Sequence, residues 1–489
     1  MEPSAAGEAR RLESVLSVGD GDIESRMQLG WLRWLRGREM TGDDGYDEVS
    51  AGIATLTEVF VSDRPLTEFP APLLPLLAEA AFDTARDLLE RASLTADPVQ
   101  LAAAVVLWRR MVAATPTDHP DHARYLNSLA TILRRRLERT GAAADADEAA
   151  EIARAAVKAT PADHPDRAWF LDNLGLALRR RFERTGAMAD VDEAVETERA
   201  AVAVTPADHP DRTGRLNNLG NALMSRFERT GSVADLDEVV EIQRAAVAAT
   251  PADHPNQAVY LNNLGTALQS RFERTGSMAD LDEAMESKRA AVAATPADHP
   301  NRAMYLSNQG NALLRRFERT GALTDLNEAV ETGRAAVAAL PTDHPHRAPY
   351  LSNLGTALQS RFERTGSMTD LDEAVEAGRA VVAATPADHP DRAGHLNNLG
   401  IALHLRFKRT GTVTDVDEAV ETGRAAVAAT PADHPDRAMY LNNLGVALQN
   451  RFERTGSMTD LDEAVESKRA AVAATPADHP DRAGHLTNL

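Results

Sequence analysis

Residues 261–300 read LNNLGTALQSRFERTGSMADLDEAMESKRAAVAATPADHP, and this stretch decides the fold because it recurs along the chain. Residues 441–480 repeat it with four substitutions in forty positions, and looser copies occupy most of the sequence. One histidine per copy marks a period of 45 residues, in the series His119, His164, His209, His254, His299, His344, His389, His434 and His479. A period of this length is typical of stacked supersecondary units, so the sequence predicts a repeat array.

The composition favours an array of small units over one large globular core. The 489 residues are 43% apolar but only 4% aromatic, and small side chains such as alanine allow helices to stack closely. A solenoid grows by adding units rather than by enlarging one core. The 74 acidic residues outnumber the 53 basic ones and give a net charge of −21. Nucleic acid is therefore not expected as a partner, because phosphate binding requires a basic face.

The sequence contains no cysteine and no long apolar run. The lack of cysteine excludes disulfides and thiolate metal sites and fits a reducing compartment. The first residues, MEPSAAGEARRLESV, lack the apolar segment of a signal peptide. No stretch approaches the roughly 18 apolar residues that a membrane-spanning helix requires. We therefore expect a cytoplasmic protein with no membrane partner.

Residues 1–96 differ from the repeats. The apolar residues around Trp31 and Trp34, and those of PLLPLLAEAAFDTARDLLERA, have the spacing of buried helices. A repeat array needs an atypical terminal unit to cover its exposed apolar end. We interpret residues 1–96 as a divergent helical N-terminal cap, and a separate functional domain is the alternative.

Each regular unit is predicted to contain two antiparallel helices. The first begins at DHP, with the proline in its first turn and the adjacent Asp or His as a cap. It ends at Thr275 and Gly276, where glycine takes the left-handed conformation. Its apolar stripe is predicted to consist of Leu261, Leu264, Leu268 and Phe272.

The second helix of the unit is predicted to open at Asp280, which forms a capping box with Glu283. It ends in AATP, before the next DHP. Its apolar stripe is predicted to consist of Leu281, Ala284, Met285 and Val292. About eight complete units of this kind occupy residues 97–480, and residues 481–489 are interpreted as the start of a truncated ninth.

The unit resembles the tetratricopeptide repeat (TPR). The residues that carry the resemblance are Leu264, Gly265, Ala267, Ala284, Ala291 and Pro296. The length departs from that family, at 45 residues against about 34. The DHPD…LNNL pattern is similar to the long repeats of kinesin light chains. The RFERTG and DLDEAVE motifs resemble those of bacterial arrays that precede a CHAT caspase-like peptidase domain. The resemblance implies an all-α fold, an α-solenoid built as a right-handed superhelix of antiparallel helix pairs.

The repeated polar residues do not predict a metal or catalytic site. Equivalent DHP histidines should lie about 10 Å apart, the packing distance of helices, so they cannot share one ion. Asp280, Asp282 and Glu283 recur at the helix starts, with Asn327 in place of Asp282 in one unit, whereas catalysis needs one singular environment. The arginines of RFERTG are expected to pair with Glu273 and with acids of the next helix. We expect no enzymatic activity, no cofactor and no metal.

Asparagine recurs inside the first helix, where its propensity is poor unless the side chain has a role. At 100° per residue this wall lies opposite the leucine stripe and includes Val259, Asn262, Asn263, Thr266 and Ser270. In the TPR family the corresponding wall lines a concave groove, and an asparagine holds the backbone of a bound peptide. The resemblance thus implies peptide-binding roles for Asn173, Asn218, Asn263, Asn308, Asn353, Asn398 and Asn443. The alternative is that these asparagines bridge neighbouring first helices and bind nothing.

Two positions on this wall vary from unit to unit while the DHP, Leu, Asn and ERTG residues hardly change. The positions matching Val259 are Trp169, Gly214, Val259, Met304, Pro349, Gly394 and Met439. Those matching Gln269 are Arg179, Met224, Gln269, Leu314, Gln359, His404 and Gln449. Such variation fits a binding groove and also fits an unconstrained solvent-exposed face.

The functional hypothesis is a non-enzymatic interaction scaffold that binds a peptide or partner protein in the groove of the superhelix. The alternative is an N-terminal sensor region of a larger signalling enzyme, a CHAT peptidase or an NTPase, whose catalytic domain is absent from this chain. A third hypothesis is self-association through the open C-terminal repeat.

Overall fold

A computed structural model describes residues 22–62, 64–95, 97–342, 344 and 347–475. These residues form α-helices and two 3-10 turns, with no β-strand among them. The described chain divides after Ala246 into two compact units, and in each of them successive helices pack in pairs. The predicted all-α solenoid of helix pairs is confirmed. None of the described helices combines the length and apolar character that a membrane span requires.

Within the described residues, five helices precede the regular pairs. With two 3-10 turns they are α1 (Ile23–Glu39), α2 (Asp43–Phe60), Leu66–Glu68, Ala71–Leu73, α3 (Leu74–Ala80), α4 (Phe82–Thr95) and α5 (Pro98–Ala114). The rings of Phe82 and Trp108 each lie 6.1 Å from that of Tyr125 in the first regular helix. Helices α4 and α5 therefore pack against the first regular helix. The interpretation of residues 1–96 as a terminal cap stays a prediction.

In the part of the chain that the structure describes, the regular region consists of eight helix pairs. The first helices are α6 (His122–Thr140), α8 (Arg167–Thr185), α10 (Arg212–Thr230), α12 (Gln257–Thr275), α14 (Arg302–Thr320), α16 (Arg347–Thr365), α18 (Arg392–Thr410) and α20 (Arg437–Thr455). The second helices are α7 (Ala143–Ala159), α9 (Met188–Ala203), α11 (Val233–Ala249), α13 (Met278–Ala293), α15 (Leu323–Ala338), α17 (Met368–Ala384), α19 (Val413–Ala428) and α21 (Met458–Ala474). Residues 481–489, predicted to begin a ninth unit, lie outside the described residues.

Each first helix ends at a glycine in the left-handed conformation. Gly276 has φ 74°, and its N–H donates to the carbonyl oxygen of Phe272 at 2.7 Å. A residue with a Cβ would pay roughly 1–2 kcal/mol for that conformation. The predicted cap is confirmed at Gly141, Gly186, Gly231, Gly276, Gly321, Gly366, Gly411 and Gly456.

The first helices begin later than expected. In the unit that opens with DHP at 298–300, the helix starts at Arg302, so Pro300 lies in a turn and outside the helix. The N–H of Arg302 donates to the carbonyl oxygen of His299 at 3.0 Å and closes that turn. The Nδ1 atom of His299 accepts from the N–H of Asn301 at 3.1 Å. The predicted proline in the first helical turn is therefore wrong. The predicted helix cap at the Asp or His of DHP is wrong too, because the N-cap residue is Asn301 and His299 stabilises the turn before the helix.

The second helices also begin differently from the expectation. Helix α13 starts at Met278, and Ser277 is its N-cap residue, with a side chain that accepts from the N–H of Asp280 at 3.4 Å. Asp280 itself lies in the first turn, where both of its carboxylate oxygens bind Arg271. The expected cap at Asp280 is therefore wrong, because this carboxylate is already engaged by the preceding helix.

Within each compact unit, the core lies between the two helices of a pair and between adjacent pairs. The predicted stripe residues that are buried are Leu264, Leu268, Phe272, Leu281, Ala284 and Met285. Leu261 and Val292, also predicted for the stripes, are only half-buried. Their neighbours Tyr260 and Ala291 face the core instead, so the stripe runs one residue earlier at these points.

A bidentate ion pair joins the two helices of every regular unit. In α12 and α13 the Nε and Nη2 atoms of Arg271 donate to the two oxygens of Asp280 at 2.9 and 2.7 Å. The pair recurs as Arg136–Asp145, Arg181–Asp190, Arg226–Asp235, Arg316–Asp325, Arg361–Asp370, Arg406–Asp415 and Arg451–Asp460. The first arginine of RFERTG therefore pairs with an acid of the next helix, as predicted.

Two further arginine positions also make contacts within the scaffold, and His122 and Gln257 replace the second of these arginines in two units. On the second helices, Arg289 donates to Glu328 of the following unit at 3.0 and 2.6 Å. At the start of the first helix, Nη1 of Arg302 donates to the carbonyl oxygens of Val292, at 3.0 Å, and Thr295. Arg302 thereby satisfies carbonyl groups that the end of the preceding helix leaves unpaired. These repeated contacts of the arginines stabilise the array.

Candidate binding face on the first helices

The DHP histidines lie in the turns before the first helices and serve those turns. His164, His209 and His254 accept through Nδ1 from the backbone N–H two residues later, at 3.1 Å in each case. The described residues contain no group of three or more His, Asp or Glu side chains placed to hold a metal ion. The geometry of these histidines is that of local turn stabilisation.

The candidate asparagines form bonds between successive first helices. The Nδ2 atom of Asn443 donates to Oδ1 of Asn397 at 2.9 Å, and that of Asn308 donates to Oδ1 of Asn262 at 2.9 Å. In each case the acceptor lies 46 residues earlier in the chain. The same bond runs from Asn173 to Asn127, from Asn218 to Asp172 and from Asn353 to Ser307. The structure thus contains the bridging contact that the sequence left as an alternative.

Two candidates have other contacts. Asn398 is exposed, and its carbonyl oxygen accepts from Nε2 of Gln359 on the preceding first helix at 3.3 Å. Asn263 is half-buried and its Oδ1 accepts from Nδ2 of Asn262 at 3.5 Å. The peptide-binding role of all these asparagines stays a prediction.

The wall predicted from helical geometry needs one correction. Asn262 is buried, because its amide is enclosed between its own helix and the next first helix, where it accepts from Asn308. Thr266 is exposed, and Val259, Asn263, Ser270 and the variable Gln269 are half-buried. We define the first-helix face as the positions that match Val259, Asn263, Thr266 and Gln269 in each unit.

A position on the second helix completes this face, and the sequence reasoning missed it. The residues that share it are Ala153, Glu198, Gln243, Lys288, Gly333, Gly378, Gly423 and Lys468. Each lies seven residues after the Leu281 position, in register with the apolar stripe. A charged residue in a buried stripe, changing identity from unit to unit, was the signal that could have found it.

Lys288 shows where these side chains point. It is 3% exposed, and its Nζ donates to Oε1 of Gln269 at 2.6 Å and to the carbonyl oxygen of Asn308 at 3.3 Å. Its stem crosses Gly265, where an added Cβ would lie 2.7 Å from Cγ of Lys288. The glycine of the LG pair therefore makes room for the second-helix side chain beneath the first-helix face.

Glu198 occupies the equivalent place in the N-terminal compact unit. It is 1% exposed, and a Cβ on Gly175 would lie 2.4 Å from its Oε1. Burial, together with the nearby carboxylate of Asp172, raises the pKa of Glu198 well above its usual range. Asp172 in turn accepts from Asn218 at 2.9 Å. This face is thus acidic at one unit and carries a buried amine at another.

In three consecutive units the second-helix residue is glycine, at Gly333, Gly378 and Gly423. Two of these sites contain cavities. One of about 50 Å³ lies between Gly400 and Gly423, and one of about 20 Å³ lies between Gly355 and Gly378. The space that Lys288 fills in its own unit is left open at these two.

We expect Lys288 to titrate well below an ordinary lysine. Burial lowers its pKa from 10.5 to about 8. Between those values the unfolded chain binds more protons than the folded one, so this group makes stability rise with pH across that window. The sequence contains only four lysines, Lys158, Lys288, Lys408 and Lys468. Lysine selectively labelled at Cε should therefore give an assignable NMR signal with a midpoint near pH 8, which the Lys288→Met variant should lack. A Lys288 midpoint near 10.5 would contradict the buried geometry.

Comparison with known proteins gives the following matches. The sequence model described as tetratricopeptide repeat matches residues 122–166, 167–211, 213–256, 257–301, 349–391, 392–436 and 437–481. A search of curated proteins returned no match.

Two solved structures illustrate the structural matches. A Podosopora anserina putative kinesin light chain with nearly identical TPR-like repeats is 23% identical, and the alignment covers 44% of this chain and 96% of that one with a TM-score of 0.33. The apo form of the quorum sensor NprR from B. thuringiensis is 12% identical, with 80% and 99% covered and a TM-score of 0.46.

Proposed function

Because the chain belongs to the tetratricopeptide repeat family, we propose that it is a non-enzymatic scaffold that binds an extended peptide segment of a partner protein on its first-helix face. One observation carries the proposal. The residues that change between units gather on this face and on the second-helix position beneath it, whereas the residues that repeat hold the scaffold together.

The residues that repeat from unit to unit make contacts that hold the scaffold together. Arg271 and Asp280 join the helices of a unit, Arg289 and Glu328 join successive units, and Gly276 ends the first helix. The positions of the first-helix face that match Val259 take no part in these contacts. Their side chains range from Trp169, which is 40% exposed, to glycine at 394. A face that varies over a fixed scaffold suits recognition of different side chains along one ligand.

The asparagines supply backbone contacts in this proposal. The bridging bonds of Asn308, Asn353 and Asn443 each use one of the two amide hydrogens. The second hydrogen and the carbonyl oxygen are then available to a peptide backbone. Because the bridge fixes the orientation of the amide before binding, little side-chain entropy is lost when a ligand is bound.

A selection experiment tests this function. Phage displaying random twelve-residue peptides would be selected on the full chain, and the recovered peptides would be measured by fluorescence anisotropy. Thr266 and Thr356 are exposed on the first-helix face. The double variant Thr266→Arg, Thr356→Arg should bind the recovered peptides at least tenfold more weakly, because two long cations obstruct the face without disturbing the core.

The matched control places the same two cations elsewhere. Ala290 and Ala380 are exposed on second helices, so Ala290→Arg with Ala380→Arg adds the same charge and should leave affinity unchanged. Equal weakening by both double variants would indicate non-specific electrostatics and contradict the proposal. Failure to recover any binding peptide would also contradict it.

A further inference from the structure

We propose that the two glycine-lined cavities are side-chain pockets that select small apolar residues spaced three apart in an extended, polyproline II-like ligand. The inference rests on the proposed function, because it specifies which peptide the first-helix face prefers. It concerns only the C-terminal compact unit, in which both cavities lie.

The larger pocket is apolar and uncharged at its floor. It lies between α18, α19 and α20, and Ile401, Ala419, Leu444 and Ala447 contribute aliphatic surface beside Gly400 and Gly423. Asn397 and Asn443, bonded to each other, lie at the same cavity. An aliphatic side chain would thus enter beside a fixed amide pair that can meet the ligand backbone.

His404 is the titratable group that lines this pocket. Burial, with the nearby Lys408, lowers its pKa below the usual value. The ring is therefore neutral near pH 7 and gives the pocket no attraction for a carboxylate or phosphate. An apolar occupant is favoured, since a charged side chain would lose hydration without gaining a partner.

The smaller pocket repeats the arrangement one unit earlier. It lies between α16, α17 and α18, and Gly355, Ala374 and Gly378 form its narrow part. Its volume is about 20 Å³ against about 50 Å³ for the larger. Because a water-sized group needs about 10–15 Å³ on this scale, the smaller pocket fits an alanine methyl and the larger a valine side chain.

Neighbouring units show what the same place looks like when it is filled. Lys288 and Lys468 occupy the positions of Gly378 and Gly423, and both bond to a glutamine on the first helix. Gly265 and Gly445 then have the lysine Cγ 2.7 Å from an added Cβ. At Gly355 an added Cβ would meet nothing closer than 4.0 Å. The pockets are therefore features of particular units and cannot be a general property of the repeat.

The spacing of the pockets selects the ligand conformation. Adjacent packed helices lie about 8–10 Å apart, so pockets in successive units should be separated by about that distance. A polyproline II segment rises about 3.1 Å per residue with three residues per turn, so side chains i and i+3 point the same way about 9.3 Å apart. A β-strand places i and i+3 on opposite sides. The backbone groups of a polyproline II segment make no internal hydrogen bonds, so they also suit contacts with one asparagine per unit.

Synthetic peptides test the inference on the full chain. Fluorescein-labelled twelve-residue peptides with a common proline- and glutamine-rich background would carry Ala and Val three residues apart, in both orders. Matched peptides would carry them two residues apart, or Glu at both positions. In anisotropy titrations, the better of the two peptides with three-residue spacing should bind at least tenfold more tightly than the peptides with two-residue spacing and the Glu peptide.

Filling the pockets supplies the second measurement. Gly355→Ala with Gly400→Ala places a methyl group in each cavity, and the closest atom to either new Cβ is Oγ1 of Thr422, at 3.2 Å. This variant should bind the best peptide at least tenfold more weakly, while far-ultraviolet circular dichroism stays unchanged. Ala380→Val, which adds two methyl groups at an exposed second-helix position outside the first-helix face, is the control and should not alter affinity.

The outcomes separate this inference from the proposed function. One result is peptide binding that depends on Thr266 and Thr356 but shows no preference for three-residue spacing. Another is such binding with no loss of affinity when the pockets are filled. Either result would contradict the pocket assignment and leave the proposed scaffold function standing. If no selected or synthetic peptide binds the chain, both proposals are wrong. Tight binding of the Glu peptide would overturn the apolar assignment alone.

Discussion

The variant Asp370→Ala should lose about 3–5 kcal/mol of local stability in the α16–α17 pair, the typical cost of breaking a buried ion pair by removing one partner. Nε and Nη2 of Arg361 donate to the Asp370 carboxylate at 2.8 and 2.6 Å. The side chains of Arg361 and Asp370 are only 13% and 5% exposed. Removal of the carboxylate leaves a poorly hydrated guanidinium without its bidentate acceptor, and Arg361 also holds the pKa of Asp370 below its usual value.

Hydrogen exchange measured by mass spectrometry is the appropriate readout, because repeat arrays open locally and do not always unfold as one unit. Protection should fall mainly in peptides from α16 and α17. Asp372→Ala is the control, since Asp372 is 59% exposed and contacts Arg406 through one 3.3 Å bond. Exposed pairs contribute about 0–1 kcal/mol. Similar loss of protection in both variants would show that burial of the pair does not determine its contribution.

The same substitution should have opposite effects at two equivalent glycines. A Cβ on Gly265 would lie 2.7 Å from Cγ of Lys288 and 3.1 Å from the carbonyl oxygen of Ala284. Overpacking of this kind costs about 1–3 kcal/mol. At Gly355 the nearest atom is the carbonyl oxygen of Ala374, 4.0 Å away. There the higher helix propensity of alanine should stabilise α16 by about 0.5–1 kcal/mol.

Exchange protection of α12 and α16 should therefore change in opposite directions in Gly265→Ala and Gly355→Ala. Restoring space beneath Gly265 checks the cause, because Lys288→Gly combined with Gly265→Ala should recover part of the lost protection. If both single variants were destabilised alike, the glycine would be needed for the backbone and the second-helix side chain would be irrelevant.

Much of the fold follows from local sequence. The 45-residue period, the glycine after each ERT and the spacing of Leu264, Leu268 and Phe272 predict where helices lie and what they bury. The glycine and the leucine–phenylalanine spacing each depend on residues a few helical turns apart at most, and the period follows from comparing copies of the unit. The errors were local too. Pro300 was assigned to the helix because proline suits a first turn, but the His299 side chain stabilises a separate turn there.

The candidate site was less predictable. Helical geometry placed Asn262 and Asn263 on one wall, but whether an amide faces a ligand or a neighbouring helix depends on how closely the next unit packs. Asn308 reaches Asn262 across 46 residues of sequence, and no spacing rule within a helix describes that contact. The variable second-helix position was overlooked because its spacing along the helix places it within the buried apolar stripe.

The sequence by itself determined that this chain is an array of helix pairs, because period, stripes and glycine caps are local properties that every copy repeats. Only the tertiary structure decided which of the repeated residues make contacts between successive units. It placed Lys288 beneath Gly265 and left space between Gly400 and Gly423. The physical reason is that a pocket or an amide bridge forms where two helices meet, and the distance and rotation between them depend on all the side chains packed there.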